Sequence, residues 1–164
     1  MPCRIEISNR QRALPVDARA LRRLLAFFLA RAARHLPPGL RWGGLTAILV
    51  DDAAMRRCNR AVFRREEATD VITQAYAPAT LAAADARDGE MVVNAQRARE
   101  LGPRHGGAAR ELALYLAHGV DHLTDADDAT PVWRRRMRHR ELRWRAAAGR
   151  AGLLQHLLRS DVPC

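Results

Sequence analysis

The sequence predicts an α+β fold in which a small mixed β-sheet of about four strands packs against about five helices. Short segments with alternating or continuous apolar residues are typical of strands, and longer segments with apolar residues every three or four positions are typical of helices. Both kinds of segment occur along the chain. Because a chain of 164 residues matches the size of one domain, we expect residues 1–164 to form a single domain.

The chain begins with a strand signal followed by a helix signal. Ile5 and Ile7 alternate with polar neighbours over residues 4–9, which predicts a half-buried strand. Asp17 can then cap a first helix, which the pair of prolines at 37 and 38 ends. The residues predicted to form its apolar stripe are Leu21, Leu24, Leu25, Phe28 and Leu29.

The middle of the chain predicts a second helix and three further strands. The apolar run at 45–50 is typical of a buried strand, and Asp51 or Asp52 can cap a helix that passes through Met55 to Asn59. Residues 71–76 and 91–93 also predict strands. They are joined by an alanine-rich loop with Pro78 and Asp85, so we expect them to be antiparallel neighbours.

The last third of the chain predicts two helices. Glycines and a proline interrupt regular structure at 102–107, and an apolar helix then runs from Ala108 to about Leu123. Because this helix is apolar on nearly every side, it should be central and buried. Thr130 can cap a final helix that starts at Pro131. The side chains expected on its apolar face are Trp133, Met137 and Trp144.

The charge, the apolar runs and the cysteines of the sequence limit the classes of function that fit this protein. The formal net charge of +10, carried by 28 arginines without a lysine, would give a positive field that attracts nucleic acid. No apolar run reaches the roughly 18 residues of a membrane span, and the N-terminus does not resemble a secretory signal, so we expect a cytoplasmic protein. The three cysteines Cys3, Cys58 and Cys164 form no CxxC pair and predict neither a disulfide framework nor a thiolate metal site.

The central helix carries a candidate metal site. His118 and His122 are four residues apart, so both imidazoles lie on one face of a helix at a separation that one metal ion can bridge. The helix should end near Leu123, and the acidic turn after it can return Asp128 as a third ligand. Two nitrogens and one carboxylate oxygen, with a fourth position open to water, are typical of catalytic zinc. The structural alternative is a pair of hydrogen-bonded histidines followed by a solvated acidic loop.

The same spacing occurs in the HExxH pattern of metalloproteases, in which the glutamate after the first histidine activates water. Here that position is Gly119. A peptidase of that type would lack its general base, which argues against proteolysis.

Four segments, in matching order over residues 45–145, resemble the YbeY family of ribosomal RNA maturation factors. The segment ELALYLAHGVDHLTDADD at 111–128 is similar to the family signature HGxLHLxGYDH. Asn59 with TDVIT at 69–73 resembles LN…TDVLSF, GEMVV at 89–93 resembles GDIVI, and MRHRE at 137–141 resembles the M…RE pattern of the last helix. Four family positions differ: the third histidine is Asp128, the glycine is Asp125, the tyrosine is Ala126, and the leucine between the histidines is Asp121.

The resemblance implies a zincin-like domain with one zinc ion on its central helix, held by His118, His122 and Asp128. It also implies a single-strand-specific, metal-dependent endoribonuclease that acts in 3′-end processing of small-subunit ribosomal RNA and in ribosome quality control. RNA or the ribosome would be its partner. The candidate phosphate-binding residues are Arg60, Arg64 and Arg65, and Arg64 lies one residue after the slot of the family's arginine, which Phe63 occupies.

Several roles stay open at this stage. Asp121 could act as a general base or orient a histidine, and Thr69 and Asp70 could position the site or cap a strand. The chief alternative function is a non-catalytic RNA-binding ribosome-assembly factor with a structural or degenerate metal site. A hydrolase of another phosphoester or amide is a further alternative, because a fold and a metal site do not fix the substrate.

Overall fold

The computed structural model describes residues 3–76 and 84–160 of the chain. Pro78, in the predicted loop, and Cys164 lie outside the described residues. Cys3 and Cys58 are free thiols. The described elements, in chain order, are β1 (Arg4–Asn9), α1 (Ala18–Ala32), β2 (Arg41–Val50), α2 (Asp52–Phe63), β3 (Val71–Tyr76), β4 (Ala86–Asn94), α3 (Ala95–Leu101), α4 (Ala108–His122) and α5 (Pro131–Arg150).

The four strands form one mixed sheet in the order β1-β2-β4-β3. β1 and β4 both run parallel to β2, whereas β3 pairs antiparallel with β4, with Val71 opposite Val93. This confirms the predicted α+β class and the antiparallel pairing of the third and fourth strands. β2 and β4 begin earlier than predicted, because the glycines in their first halves interrupt the apolar pattern that marks a strand.

Different helices pack against the two faces of the sheet. Leu45, Leu49 and Val93 belong to the main core, which also contains the apolar faces of α1 and α4. Val92 and Ile72 point to the other face and pack in a smaller cluster with Met55 of α2. This alternation follows from the two-residue period of a strand. α4 is therefore buried between the sheet and the other helices, as predicted.

The helices begin where side chains can accept from free backbone amides. Asp17 accepts from the amide of Ala20, Asp51 from Ala54, and Thr130 from Trp133, with Pro131 in the first turn of α5. These three caps confirm the predicted starts. The short helix α3 was not predicted, although Asn94 caps it in the same way by accepting from the amide of Arg97.

The face of α5 that carries Trp133, Met137 and Trp144 is buried over only part of its length. Met137 and Trp144 are buried, but Trp133 is 50% exposed. Residues 131–136 are all exposed, so the first turn and a half of α5 lies outside the core. Apolar spacing on a helix shows which side chains share a face, but it does not show how far along the helix the covering elements extend. Within the described residues, no helix is long and apolar enough to cross a membrane.

An ion pair joins α4 to α5 inside the protein. Asp121 is fully buried, and its carboxylate accepts from Arg140 at Nε–Oδ1 2.8 Å and Nε–Oδ2 3.0 Å. Burial raises the pKa of Asp121, and the Arg140 guanidinium opposes this shift. The Arg140 side chain is partly exposed, so it can reach water if its partner is removed, whereas Asp121 cannot.

This asymmetry predicts unequal effects of the two single substitutions. We expect Arg140→Met to lower the free energy of unfolding by about 3–5 kcal/mol, because it leaves a buried carboxylate unpaired. Asp121→Leu should lower the free energy of unfolding by roughly half of that amount or less, because the Arg140 guanidinium that remains can be solvated. Chemical denaturation of both variants and of the double variant measures this. A double variant less stable than Arg140→Met would contradict the explanation.

Candidate metal centre

The candidate site lies at the C-terminal end of α4 and in the turn that follows it. His118 and His122 occupy consecutive turns of one helical face, and α4 ends at His122. The chain then turns at Asp125, which adopts a left-handed conformation with φ +66°. This conformation favours glycine and is better tolerated by aspartate than by most other residues. The turn brings Asp128 back beside the two histidines.

The three side chains predicted as ligands meet at one point. His118 Nε2 lies 3.1 Å from His122 Nε2, and His122 Nε2 lies 3.9 Å from Asp128 Oδ2. One potential ligand atom from each residue lies within 4.8 Å of the others. Zinc bonds of about 2.0 Å at a tetrahedral angle place two nitrogens about 3.3 Å apart, so the histidine geometry fits a shared ion.

The outer nitrogens of both rings are already engaged. His118 Nδ1 donates to Glu141 Oε1 at 2.6 Å, and His122 Nδ1 donates to the carbonyl of Ala126 at 3.1 Å. Each neutral imidazole has one N–H, so these bonds leave lone pairs on both Nε2 atoms. Two facing lone pairs repel each other unless a proton or a metal ion lies between them. The nearby Asp128 carboxylate adds negative charge, which favours a divalent metal ion over a single proton between the two nitrogens.

Glu141 is the strongest partner of the site. It is 1% exposed and reaches His118 from α5. Burial disfavours the charged imidazolium, but the hydrogen bond and charge of Glu141, together with the charges of Asp70 and Asp128, outweigh it, so the pKa of His118 is raised. A carboxylate that accepts from the outer nitrogen of a metal-binding histidine fixes the orientation of the ring and makes the other nitrogen a stronger metal ligand.

Gly119 faces away from these ligands. A Cβ at this position would lie 3.1 Å from Met91 Cε and 3.1 Å from Val71 Cγ2, both of which belong to the sheet. The absence of a side chain therefore lets α4 pack closely against β3 and β4. A glutamate in this slot would point into the sheet and not toward the site, which strengthens the argument against the HExxH peptidase mechanism.

A contact from β4 fixes the turn that carries Asp128. Arg87 Nη1 donates to the carbonyl of Leu123 at 2.9 Å and lies 2.8 Å from Asp125 Oδ1. The first contact satisfies a free carbonyl at the end of α4. The side chain of Arg87 is largely buried, so this contact anchors the turn to strand β4 of the sheet.

A cavity of about 440 Å³ opens beside the candidate ligands between α3 and α5. His118 and Asp128 line it at one side. Its lining arginines are Arg97 on α3 and Arg134 and Arg138 on α5. The lining also carries the carboxylates of Asp70, Glu111, Asp128 and Glu141, so the cavity is of mixed charge and the three arginines are its candidate phosphate-binding groups.

The arginines named in the sequence analysis lie elsewhere. Arg60 is exposed and pairs with Glu66, and Arg64 ends α2 in a left-handed conformation. The backbone amide of Arg65 donates to the carbonyl of Asn59 at 3.5 Å. None of the three lines the cavity beside the candidate ligands. Their assignment to phosphate binding stays a prediction.

The structure shows the contacts of Asp121 and Asp70, the two acidic residues whose roles the sequence left open. The Asp121 carboxylate is paired with Arg140, and Asp121 does not line the cavity beside the candidate ligands. Asp70 accepts from Thr69 Oγ1 at 3.0 Å and from the amide of Val71 at 2.9 Å, and it also lines the cavity. Asp70 thus both starts β3 and contributes negative charge near His118.

Four residues at the site had no predicted role: Glu141, Arg97, Arg134 and Arg138. Glu141 lies within the MRHRE segment at 137–141, so the resemblance already contained a signal for it. Arg97, Arg134 and Arg138 carried no local signal, because in a chain with 28 basic residues an arginine at any one position is not informative.

Comparisons with known proteins give a consistent result. A family model described as "Endoribonuclease YbeY" matches residues 6–148. A protein named "Endoribonuclease YbeY" from Anaeromyxobacter dehalogenans is 36% identical over 143 residues, which cover 84% of this chain and 69% of the relative. One of the same name from Geobacter metallireducens is 29% identical and covers 92% of this chain and 99% of the relative. The solution structure of a Thermotoga maritima protein matches 98% of this chain and 99% of its own with a TM-score of 0.56 and 16% identity, which shows a shared fold.

The contact between Glu141 and His118 predicts how metal affinity depends on α5. We expect Glu141→Gln to weaken zinc binding about 10- to 100-fold, because the amide no longer supplies the negative charge that makes the imidazole a strong donor. Competition with a chromophoric chelator measures this affinity. Glu67→Gln, at an exposed position, is the matched control. Equal affinities of the two variants would contradict a supporting role for Glu141.

Proposed function

The chain belongs to the YbeY family, and from this premise we propose that it is a metal-dependent endoribonuclease that cleaves single-stranded RNA in ribosomal RNA maturation. The finer proposal is 3′-end processing of small-subunit ribosomal RNA, together with ribosome quality control. This activity would take place in the cytoplasm. The names of the family model and of the relatives support the nuclease activity.

The single observation that carries the proposal is the convergence of His118, His122 and Asp128 beside a cavity lined by arginines. We propose these three residues as the ligands of one zinc ion. A bound ion would supply a Lewis acid for the phosphoryl oxygen and lower the pKa of a coordinated water. The protein's own contribution is to fix the ligands, through Glu141 and the Ala126 carbonyl, and to neutralise the phosphate.

The arginines of the cavity are suited to that second task. Arg97 approaches from α3, whereas Arg134 and Arg138 approach from α5, so cations line the cavity on two sides. Guanidinium groups bind phosphate oxygens in a bidentate manner and remain charged at any physiological pH. A strand bound in this cavity would have its backbone held next to the candidate metal.

The donor set also bears on the choice of metal. Asp128 replaces the histidine of the family signature, so the site has two nitrogen ligands and one carboxylate oxygen. The carboxylate is a harder donor than imidazole and lowers the net charge of the complex. Zinc accepts this combination, and manganese or magnesium would compete better here than at a site with three histidines.

A second candidate function is a non-catalytic RNA-binding factor in ribosome assembly. Asp128 is the observation that favours it, because its side chain is 42% exposed and lies 3.9 Å from His122 Nε2. An exposed third ligand is more easily displaced by solvent. In this case, the arginines of the cavity would still bind RNA, and the metal would only hold the turn after α4.

The nuclease proposal predicts a joint loss of metal and cleavage. We expect the purified protein to contain one equivalent of zinc and to cleave single-stranded RNA, and we expect His118→Ala and Asp128→Ala to lose both. Asp128→His, which restores the family ligand, should keep both. Elemental analysis and cleavage of a labelled oligonucleotide measure these properties. Retained metal without RNA cleavage in the wild type would instead support the assembly factor.

The cavity arginines predict a specific pattern in RNA binding. Arg134→Gln and Arg138→Gln should weaken binding of single-stranded RNA, and each should reduce the slope of log K against log salt by about 0.7, the value for one lost phosphate contact. Arg60→Gln and Arg65→Gln, at exposed positions outside the cavity, are matched controls with the same charge change. Fluorescence anisotropy with the metal-free protein measures binding without cleavage. A larger loss of affinity in the control variants would instead support a phosphate-binding site at the C-terminal end of α2.

A further inference from the structure

Trp133 is the one tryptophan that this fold leaves on its surface. Trp42 and Trp144 are buried, whereas Trp133 is 50% exposed in the first turn of α5. An exposed indole gives up much of the stabilisation that its large apolar area would gain in the core. Its neighbour Val132 is also exposed. The start of α5 therefore presents an apolar surface that folding does not use.

The surroundings of Trp133 are cationic. The guanidinium of Arg136 lies 4.8 Å from the centre of the Trp133 ring. Arg134 and Arg135 are exposed and follow directly in the chain. An aromatic plane interleaved with arginines is typical of surfaces that bind single-stranded nucleic acid, because bases stack on the ring and phosphates contact the cations.

Trp133 also lies next to the candidate metal centre. With Arg136 it lines a cavity of about 550 Å³ formed partly by Asp125, Ala126 and Asp127, which belong to the turn that carries Asp128. Residue 134 lines the cavity on the metal side of the same turn. Consecutive residues of α5 thus border the two cavities, and a strand that leaves the metal side can cross the start of α5 onto the indole.

The acidic residues of this second cavity are engaged within the protein. Asp125 pairs with Arg87, and Asp127 accepts from the backbone amide of Ala129 at 2.8 Å. Arg136 has no acidic partner within ion-pair distance among the described residues. The cation beside the indole is therefore available for a phosphate.

We propose that Trp133 is the stacking platform for one base of the RNA strand whose phosphate lies at the metal centre. This inference rests on the proposed function and adds a physical source for single-strand preference. A base can expose its face to an indole only when it is not stacked within a duplex. Arg136 holds the ring from one side and contacts the adjacent phosphate.

The competing occupant is a partner protein that covers Val132 and Trp133 with apolar side chains. The observations favour RNA, because three arginines follow the indole directly and an apolar protein contact would have to desolvate them. The two occupants differ in one property: stacking needs a base, whereas a protein site does not respond to oligonucleotide bases at all.

The experiment uses the full chain with His118→Ala, which blocks cleavage by removing a proposed ligand, and follows tryptophan emission during titration with a short single-stranded RNA. We expect quenching that saturates with binding, because the exposed indole stacks on a base. The same titration with an abasic strand should bind more weakly and quench little. A duplex of the same length should also quench little.

Substitutions separate stacking from general binding. In the His118→Ala background, Trp133→Leu should weaken single-stranded RNA binding about 5- to 100-fold, whereas Trp133→Phe should retain most of the affinity. Val132→Ala, next to it and similarly exposed, is the matched control and should bind as its parent does. All three should unfold at the temperature of the parent, since these side chains lie outside the core.

Two outcomes overturn the proposal. One is equal quenching by the intact and abasic strands, and the other is unchanged RNA affinity in Trp133→Leu. Either outcome would leave a partner protein as the occupant to test. Failure of the nuclease proposal is distinguishable, because the titrations use a protein with no expected cleavage: RNA stacking without cleavage by the wild type would place Trp133 in an RNA-binding assembly factor.

Discussion

Two adjacent residues of α5 hold the candidate site together. Glu141 binds His118, and Arg140 binds Asp121, so these two polar side chains of α4 each meet a partner of opposite charge or matching hydrogen-bonding capacity on α5. Charged groups in a protein interior are tolerated only when they are paired. The orientation of α5 against α4 is therefore fixed by electrostatics as well as by apolar packing. The cavity beside the ligands, which α5 also lines, depends on this orientation.

The same pairing explains one departure from the family signature. The signature has leucine where this chain has Asp121, and an unpaired aspartate at a fully buried position would destabilise the fold. Arg140 supplies the compensation from α5. A second departure, aspartate for glycine at Asp125, is accommodated because Arg87 pairs with its carboxylate in the left-handed turn. Each polar substitution thus has a partner elsewhere in the fold.

Local patterns predicted most of the scaffold. Alternation of apolar residues located the first strand, a continuous apolar run the second, and strand-forming residues the other two. Asp17, Asp51 and Thr130 marked the starts of three helices where they cap them. The spacing of His118 and His122 needed only helical geometry. What escaped prediction depends on contacts that are distant in sequence: the approach of Glu141 to His118 across 23 residues, and the arrival of Arg97 at the same cavity from α3. The exposure of Trp133 could not be predicted for a related reason, because helical periodicity carries no information on where a neighbouring element ends.

The close contact at Gly119 has an evolutionary consequence. Sites with two histidines on a helix differ between hydrolase classes in the residue after the first histidine, and a single codon change can convert glycine to glutamate. In this fold such a change would drive a side chain into Met91 and Val71, so α4 would have to move away from the sheet before the new carboxylate could approach the ligands. Packing of α4 against the sheet therefore opposes the change from this site to a peptidase, even though the two histidines are already in place.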